Sequence, residues 1–406
     1  MKDNQQLFRR EENGGIDYFL VFLASLFFLN LYGTFQFVGL ALGGYVFFKY
    51  LKHALVPDKN TIILLLFGAT YVVFSSFNVD FSIRTVYAFV YLPFLAYFAG
   101  KVSNARLRSE KSLIVLLLLF SVSVAFIYLF SVLESYMQDD VIGERVTDLR
   151  FMSRTEDTMV RAATGVGMHL APLLAFLPVF LFGNQGIAKR ATILGALITV
   201  FAAIASALIA TRTPIGLVGL LLVFVFLYNI KNQSLFKKLI LSLMALSLVY
   251  VFTYVDFEAI EITSGIYARF QQDDVGNFGL RLMMWEEGFR NIFLYPWGGE
   301  FLRYNFYHNL WLDLRKIGGV VPMIFLLVFS VSSVQLVVAM LANNNISLQL
   351  RSLMGAMFIA VFALMFLEPV IEGSMVIFLF YIFLVGFIKQ VHYNFSSKTF
   401  QQTTPA

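Results

Sequence analysis

The sequence predicts an all-α polytopic membrane protein of about twelve transmembrane helices, organised as a single integral membrane domain over residues 1–406. Three observations lead there. The composition is 59% hydrophobic, 17% aromatic and only 14% charged, with a mean hydropathy of +0.76, far from that of a soluble globular domain. Apolar runs long enough to cross roughly 30 Å of hydrocarbon at about 1.5 Å per residue recur along the whole chain. Lysine falls almost wholly in alternate connections between those runs, the asymmetry that short cytoplasmic loops show. The chain has no cysteine, which excludes disulfides and thiolate metal sites.

Taken in order, the first apolar run covers 17–32 and the second 34–51, with Gly33 and Thr34 as the only punctuation between them. No small-residue cleavage pattern follows the first run, so it reads as a retained span and not as a signal peptide. Further spans are expected at 61–77, 84–100, 112–133, 163–182, 191–210, 214–230, 238–255, 317–340, 351–367 and 374–389. The 46 phenylalanines recur in nearly every run instead of marking one core, as suits segments whose neighbour is lipid. Two long connections interrupt the series, 134–162 and 256–316. The second is about sixty residues long, a length that usually carries function within a compact architecture.

Alternation of the spans puts "KYLKHALVPDK", "KVSNARLRSEK", "GIAKR", "NIKNQSLFKK" and the tail beyond Lys389 on one side, together with both termini. That side is expected to be cytoplasmic. Lys316 is the one lysine on the other side. Arginine behaves differently: Arg84, Arg145, Arg150, Arg154, Arg161, Arg212, Arg269, Arg281, Arg290, Arg303 and Arg315 all map to the outer face. Guanidinium binds phosphate oxygens through paired charge-assisted bonds, each worth roughly 1.5–3 kcal/mol. A phosphorylated, membrane-borne ligand is therefore one reading of these arginines. Pairing with outer acids such as Asp139, Asp140, Glu144, Asp148, Asp273, Glu286 and Glu287 is the other.

Two arginines stand in settings that are costly without a ligand. Arg212 lies in "SALIATRTPIGLVGLL", where two crossings meet with almost no loop, and a charge at membrane depth costs roughly 2.5–3.5 kcal/mol or more unless paired or hydrated. Pro214 suits the first turn of a new helix. Thr211 to Thr213 is thus expected to form the turn and to hold Arg212 at the outer mouth of the bundle, with snorkelling to headgroup phosphates as the alternative. In "GLRLMMWEEGFRNIF", Arg281, Trp285, Gly288, Phe289 and Ile292 share one helical face, opposite Glu286, Glu287 and Arg290. This predicts a helix on the outer membrane surface, ended by "LYPWGGE". Headgroup binding is again the alternative for Arg281.

Among the histidines, His53 and His392 map to cytoplasmic connections, and His169 lies inside a span, where a satisfied core histidine is expected. His308 is the one outer histidine outside a span. A helix from near Asn305 would place His308, Leu312 and Arg315 on one side.

The order of "TRTP", then "RLMMW" and "PWGG", then "HNLWLDLRKIGG" resembles the O-antigen ligase and O-antigen polymerase superfamily, in the twelve-span layout and in detail over residues 205–330. The resemblance implies an inverting glycosyltransferase that needs no metal and no cofactor, with a fold similar to the C-type glycosyltransferases. Its place would be the bacterial cytoplasmic (inner) membrane, with the active site on the periplasmic, outer face. The implied donor is an oligosaccharide on undecaprenyl pyrophosphate, and the acceptor a sugar hydroxyl on a lipid-linked repeat or on lipid A-core. Membrane lipids and a chain-length regulator complete the implied partners; no nucleic acid is among them.

Carried over by position, His308, Arg212 and Arg281 are the expected catalytic residues. The arginines would bind the pyrophosphate, and His308 would meet the acceptor hydroxyl or the leaving group. Asn309, Arg315, Trp285 and Arg303 are expected to bind substrate. Two departures bear on loop geometry: "GGVVP" stands where the family more often has Gly-x-x-Gly, and "PWGG" where Pro-x-x-Gly-x-Gly is common. A repeat-unit polymerase is expected, with an O-antigen ligase as the alternative. A polysaccharide flippase or other secondary transporter is the alternative class, but it should carry ionisable residues deep in its helices, and these spans are nearly free of charge.

Overall fold

The computed structural model describes residues 16–54, 58–137, 146–148, 160–176, 189–208, 212–230, 239, 276–300 and 307–396. In chain order these form α1 (Tyr18–Leu29), α2 (Phe35–Ala54), α3 (Lys59–Ser75) and α4 (Ile83–Val86), which continues through a π-helical turn at Tyr87–Tyr91 into α5 (Leu92–Ser103). Then come α6 (Glu110–Met137), strands β1 (Val146–Asp148) and β2 (Val160–Ala162), α7 (Ala163–Leu174), α8 (Lys189–Leu208) and α9 (Arg212–Asn229). The series closes with α10 (Gly276–Leu294), α11 (Leu310–Gly318), α12 (Val320–Leu341), α13 (Leu348–Leu367), α14 (Val370–Gly373) and α15 (Met375–Ser396).

Among the described residues, five helical segments are long and apolar enough to cross a membrane: Ile83–Ser103, Glu110–Leu133, Val320–Leu341, Leu348–Leu367 and Met375–Ser396. Shorter apolar helices stand at Tyr18–Leu29, Lys59–Ser75, Gly165–Leu174, Gly195–Ser206 and Gly216–Asn229. Helix coincides with each expected span except 238–255, which lies outside the described residues apart from Leu239. The 134–162 connection also holds a ladder that the helical prediction lacks: β1 and β2 pair antiparallel, with Val146 opposite Ala162 and Asp148 opposite Val160.

The chain divides into two compact units, one of 1–124, 284–351 and 364–406, the other of 125–283 and 352–363. In the first, the Asp17 side chain caps α1 by accepting the Leu20 N–H at 3.2 Å. Asn30, with φ 50°, ends α1 in the left-handed region, and its side-chain oxygen accepts the Phe35 N–H at 3.2 Å at the start of α2. The punctuation read at Gly33 and Thr34 therefore begins at Asn30.

Helices α5 and α15 meet backbone to backbone. A Cβ on Gly100 would lie 2.1 Å from the Phe383 carbonyl oxygen, and one on Gly386 would lie 2.1 Å from that of Tyr97. Small residues permit this approach, the usual source of helix cohesion where burial from water gives no driving force. Phe28, Phe120, Phe380 and Phe383 are buried, with edge-to-face contacts of 5.0 Å for Phe28–Phe383 and 4.8 Å for Phe120–Phe383. The phenylalanines thus split: Phe22, Phe48, Phe77 and Phe81 are exposed, as expected for a lipid neighbour, while this set forms a core.

At one end of the unit Asp58 caps α3 and gathers cations, with Lys101 Nζ at 2.9 Å and Lys389 Nζ at 3.1 Å. Burial alone would raise its pKa, but the two ammonium groups outweigh burial and hold the carboxyl well below the usual range. From this lysine-bearing end α3 runs toward Asn78, where the candidate site lies.

In the second unit α7, α8 and α9 pack on one another. His169 is buried there, its Nδ1 donating to the Gly165 carbonyl at 2.7 Å and its ring stacked on Tyr128 at 3.6 Å. It is the satisfied core histidine that the sequence predicts. His53 and His392, expected in connections, lie on α2 and α15, because both helices extend past the apolar runs that defined the expected spans.

Candidate functional site

The site is built around the start of α11. Asn309 is the N-cap, in extended backbone, and its side-chain oxygen accepts the Leu312 N–H at 3.3 Å. Asp313, one turn on, reaches back: its carboxylate accepts the N–H of Tyr307 at 2.5 Å and of Asn309 at 3.1 Å. Trp285 Nε1 donates to the Tyr307 carbonyl at 3.0 Å. His308, between these tethered neighbours, has φ 55°. Left-handed backbone is uncommon outside glycine, though histidine is among the residues that adopt it more readily. Here the hydrogen bonds on both sides impose it.

This orientation leaves the His308 side chain 21% exposed and puts its Nδ1 3.9 Å from Oε2 of Glu368, which is fully buried. Glu368 ends α13 in extended backbone. At that distance the pair is an electrostatic contact and not yet a hydrogen bond.

Beneath Tyr307 lies a second charged pair. Arg315 is fully buried, with Nη2 on Glu300 and Nη1 donating to the Asn291 carbonyl at 2.9 Å. Glu300 also accepts from the Asn291 amide and the Tyr307 hydroxyl. Burial and the Glu300 carboxylate push the Tyr307 phenol well above its ordinary pKa.

Arg315, expected to bind substrate, therefore does not share a helical face with His308. The helix starts at Leu310 and not near Asn305, so His308 is outside it, and the guanidinium points inward to Glu300. Trp285, also expected at the substrate, is half-buried and uses its indole N–H to hold Tyr307. Asn309, expected to bind substrate, is the helix cap that follows His308, its side-chain oxygen accepting the Leu312 N–H.

Two glycine pairs form one junction under the site. Gly298, Gly299 and Gly319 have φ of 83°, 77° and 79°. A Cβ on Gly298 would lie 2.2 Å from the Ile317 carbonyl oxygen. The Val320 N–H donates to Pro296 at 2.8 Å and the Glu300 N–H to Lys316 at 3.2 Å. Asn78 closes the junction, its amide donating to the carbonyls of Trp297 and Ile317, each at 2.9 Å. "PWGG" and "KIGG" are thus two sides of a single backbone contact, and Gly319 divides the expected span 317–340 into α11 and α12.

The amphipathic segment forms α10 as expected, but its face is rotated. Gly288 is buried against Tyr307 and Leu312, Arg281 and Trp285 are half-buried, and Phe289 is 57% exposed. Leu282, Met283 and Phe293 are exposed with it, around the Glu286–Arg290 ion pair at 2.5 Å. The close approach to Tyr307 requires a residue without a side chain, so Gly288 sets which face turns inward.

His308, Asn309, Trp285 and Arg315 come together in the first unit, whereas Arg212 and Arg281 belong to the second. Arg212 is the first residue of α9, so the turn expected over Thr211–Thr213 is already helix from Arg212, with Pro214 in the first turn as predicted; the Arg212 side chain lies outside the described residues, as does Arg303. Glu300 and Asn78 were not among the expected site residues, and Glu368, with Glu372 in "EPVIEGS", was expected only as the group to take the acceptor proton should His308 not serve. Glu368 lies sixty positions beyond His308, and no local spacing links the two. No protein-family model matches the chain, and no curated protein matches it.

Proposed function

We propose that the chain is a membrane glycosyltransferase that moves a glycan from undecaprenyl pyrophosphate to a sugar hydroxyl on the outer face of the cytoplasmic membrane, as a repeat-unit polymerase. The observation that carries this reading is the setting of His308: partly exposed, locked in left-handed backbone by Asp313, and next to a buried carboxylate. A base held this way, at the head of a helix that leads directly into an apolar span, suits a substrate presented from the membrane. The resemblance of "TRTP", "RLMMW" and "HNLWLDLRKIGG" to the O-antigen ligase and polymerase superfamily supports the same reading.

In the proposed reaction the acceptor hydroxyl oxygen attacks the anomeric carbon of the donor sugar. The bond from that carbon to the pyrophosphate oxygen breaks, its electron pair leaves on the pyrophosphate, and the configuration inverts. The hydroxyl proton passes to His308, whose type of side chain accepts protons near neutral pH. Arg212 and Arg281 supply fixed positive charge where negative charge develops.

The test uses purified protein in nanodiscs with a lipid-linked oligosaccharide. Wild type should extend the glycan, and His308→Ala should lose at least about a hundredfold in rate, within the range of general-base effects, while donor binding is kept. Transfer by His308→Ala at the wild-type rate would overturn the assignment. In a deletion strain, single unpolymerised repeats identify a polymerase, and free lipid-linked chains with a bare core identify a ligase. Reporter fusions after residues 150 and 270 should lie outside, and those after 108, 235 and 345 inside.

A further inference from the structure

We infer that Glu368 is the positioning residue of His308: its buried carboxylate holds the imidazole by Nδ1 and presents Nε2 to the acceptor hydroxyl. What Nε2 does there rests on the transferase reading; the pairing itself rests on geometry.

A carboxylate removed from water is costly unless a donor or cation meets it. Glu368 has no exposed side-chain surface, and its Oε2 lies 3.9 Å from His308 Nδ1. Its backbone is fixed on both sides, since the Glu368 N–H donates to Leu364 at 3.0 Å and its carbonyl accepts the Val370 N–H at 2.9 Å. Helix α14, which follows at once, packs on α11, so the carboxylate is delivered to the head of the helix that His308 precedes.

Asp313 and Glu300 have different work. Asp313 binds the backbone N–H groups of Tyr307 and Asn309, and Glu300 binds Arg315. The left-handed backbone at His308 is then informative. Strain of this kind persists where the surroundings over-determine it, and it concentrates at functional sites. Here its effect is to aim the ring edge at Glu368.

The chemistry follows from imidazole having two nitrogens with opposite roles in its neutral form. A carboxylate at Nδ1 favours the tautomer with its proton there, leaving the lone pair on Nε2, and it stabilises the cation formed when Nε2 takes a proton. Contacts of this type are often long before substrate arrives and close in the complex. Glu368 is not placed to take the acceptor proton itself, because a group with no exposed surface is not reached by a sugar, whereas the imidazole is partly open.

The experiment is nitrogen NMR on full-length protein in nanodiscs with 15N-histidine, using His308→Ala to assign the His308 signals. In wild type the His308 proton should reside mainly on Nδ1. In Glu368→Leu it should move to Nε2, and kcat for a lipid-linked oligosaccharide should fall roughly tenfold to a hundredfold, the range seen for carboxylates that orient ligating histidines, with KM for the donor unchanged. Glu368→Asp keeps the charge but withdraws it by one methylene, so it should show the same two changes to a smaller extent and serves if the leucine variant does not fold. An unchanged tautomer in whichever variant folds, or an unchanged kcat alongside a changed tautomer, would overturn the inference. If wild type transfers no glycan at all, the transferase reading fails separately, and the tautomer measurement still decides the pairing.

Discussion

Replacing Arg315 should damage the fold before it damages binding. In Arg315→Met the Glu300 carboxylate, 1% exposed, keeps only the Asn291 amide and the Tyr307 hydroxyl as partners. The arginine makes two charge-assisted bonds, to Glu300 and to the Asn291 carbonyl, each worth roughly 1.5–3 kcal/mol. Their loss agrees with the roughly 3–5 kcal/mol expected when one member of a buried ion pair is removed. Glu300→Leu together with Arg315→Met should recover much of this, since no charge then stays buried. The recovery should be incomplete, because the Tyr307 hydroxyl and Asn291 amide lose their acceptor at about 1–3 kcal/mol. Arg315→Lys should rescue poorly, as a single ammonium cannot fork between Glu300 and Asn291. The assay is thermal unfolding of the detergent-solubilised protein, arranged as a double-mutant cycle. A variant Arg315→Met that melts like wild type yet transfers no glycan would refute the structural role and return Arg315 to the substrate.

Arg212→Lys and Arg281→Lys keep charge but lose the bidentate fork, so each should insert normally and lose at least about tenfold in glycan transfer; wild-type rates in both would favour headgroup binding. Asp58 should make the protein acid-sensitive. Burial would raise the pKa of Asp58, but Lys101 and Lys389 outweigh burial and lower it. A depressed folded-state pKa contributes stability that is present above the unfolded value and lost as pH falls through the folded one. The melting temperature of wild type should therefore hold from neutral pH to about 5 and drop below about 4, whereas Asp58→Asn starts lower and drops less over the same range; parallel curves would show that Asp58 contributes nothing through its charge.

The helices were legible because apolar runs report lipid and core alike, and both call for helix. The same ambiguity hid where the phenylalanines go: Phe28 and Phe22 stand in one run, yet one is buried among Phe120, Phe380 and Phe383 and the other is exposed. Asn30 gives a weaker break signal than Gly33, although asparagine also tolerates the left-handed cap. At the site, the histidine, the cap and the glycines could be read from local order. Asn78 and the pairing of Glu368 with His308 could not, since the partners lie in distant parts of the chain and neither residue sits in a periodic pattern.

Arg315 shows why the rest of the site resisted. The expected helix from near Asn305 made His308 and Arg315 neighbours on one face, and an amphipathic helix at a membrane surface would turn that face to the ligand. Observed α11 has no such face: Leu310 to Arg315 are all buried. A helix buried on every side admits a charge only where the protein supplies the counter-charge, so Arg315 needs Glu300, and Glu300 in turn ties down Tyr307 and Asn291. The same residue type thus answers two different questions in this protein. Arg212, at the start of α9, and Arg281, half-buried on α10, stay assigned to the pyrophosphate by the proposal, while Arg315 stiffens the platform from which His308 projects. Rigidity of that platform is what a transferase of this kind requires, because a base displaced by even about 1 Å from its acceptor loses on the order of a hundredfold in rate.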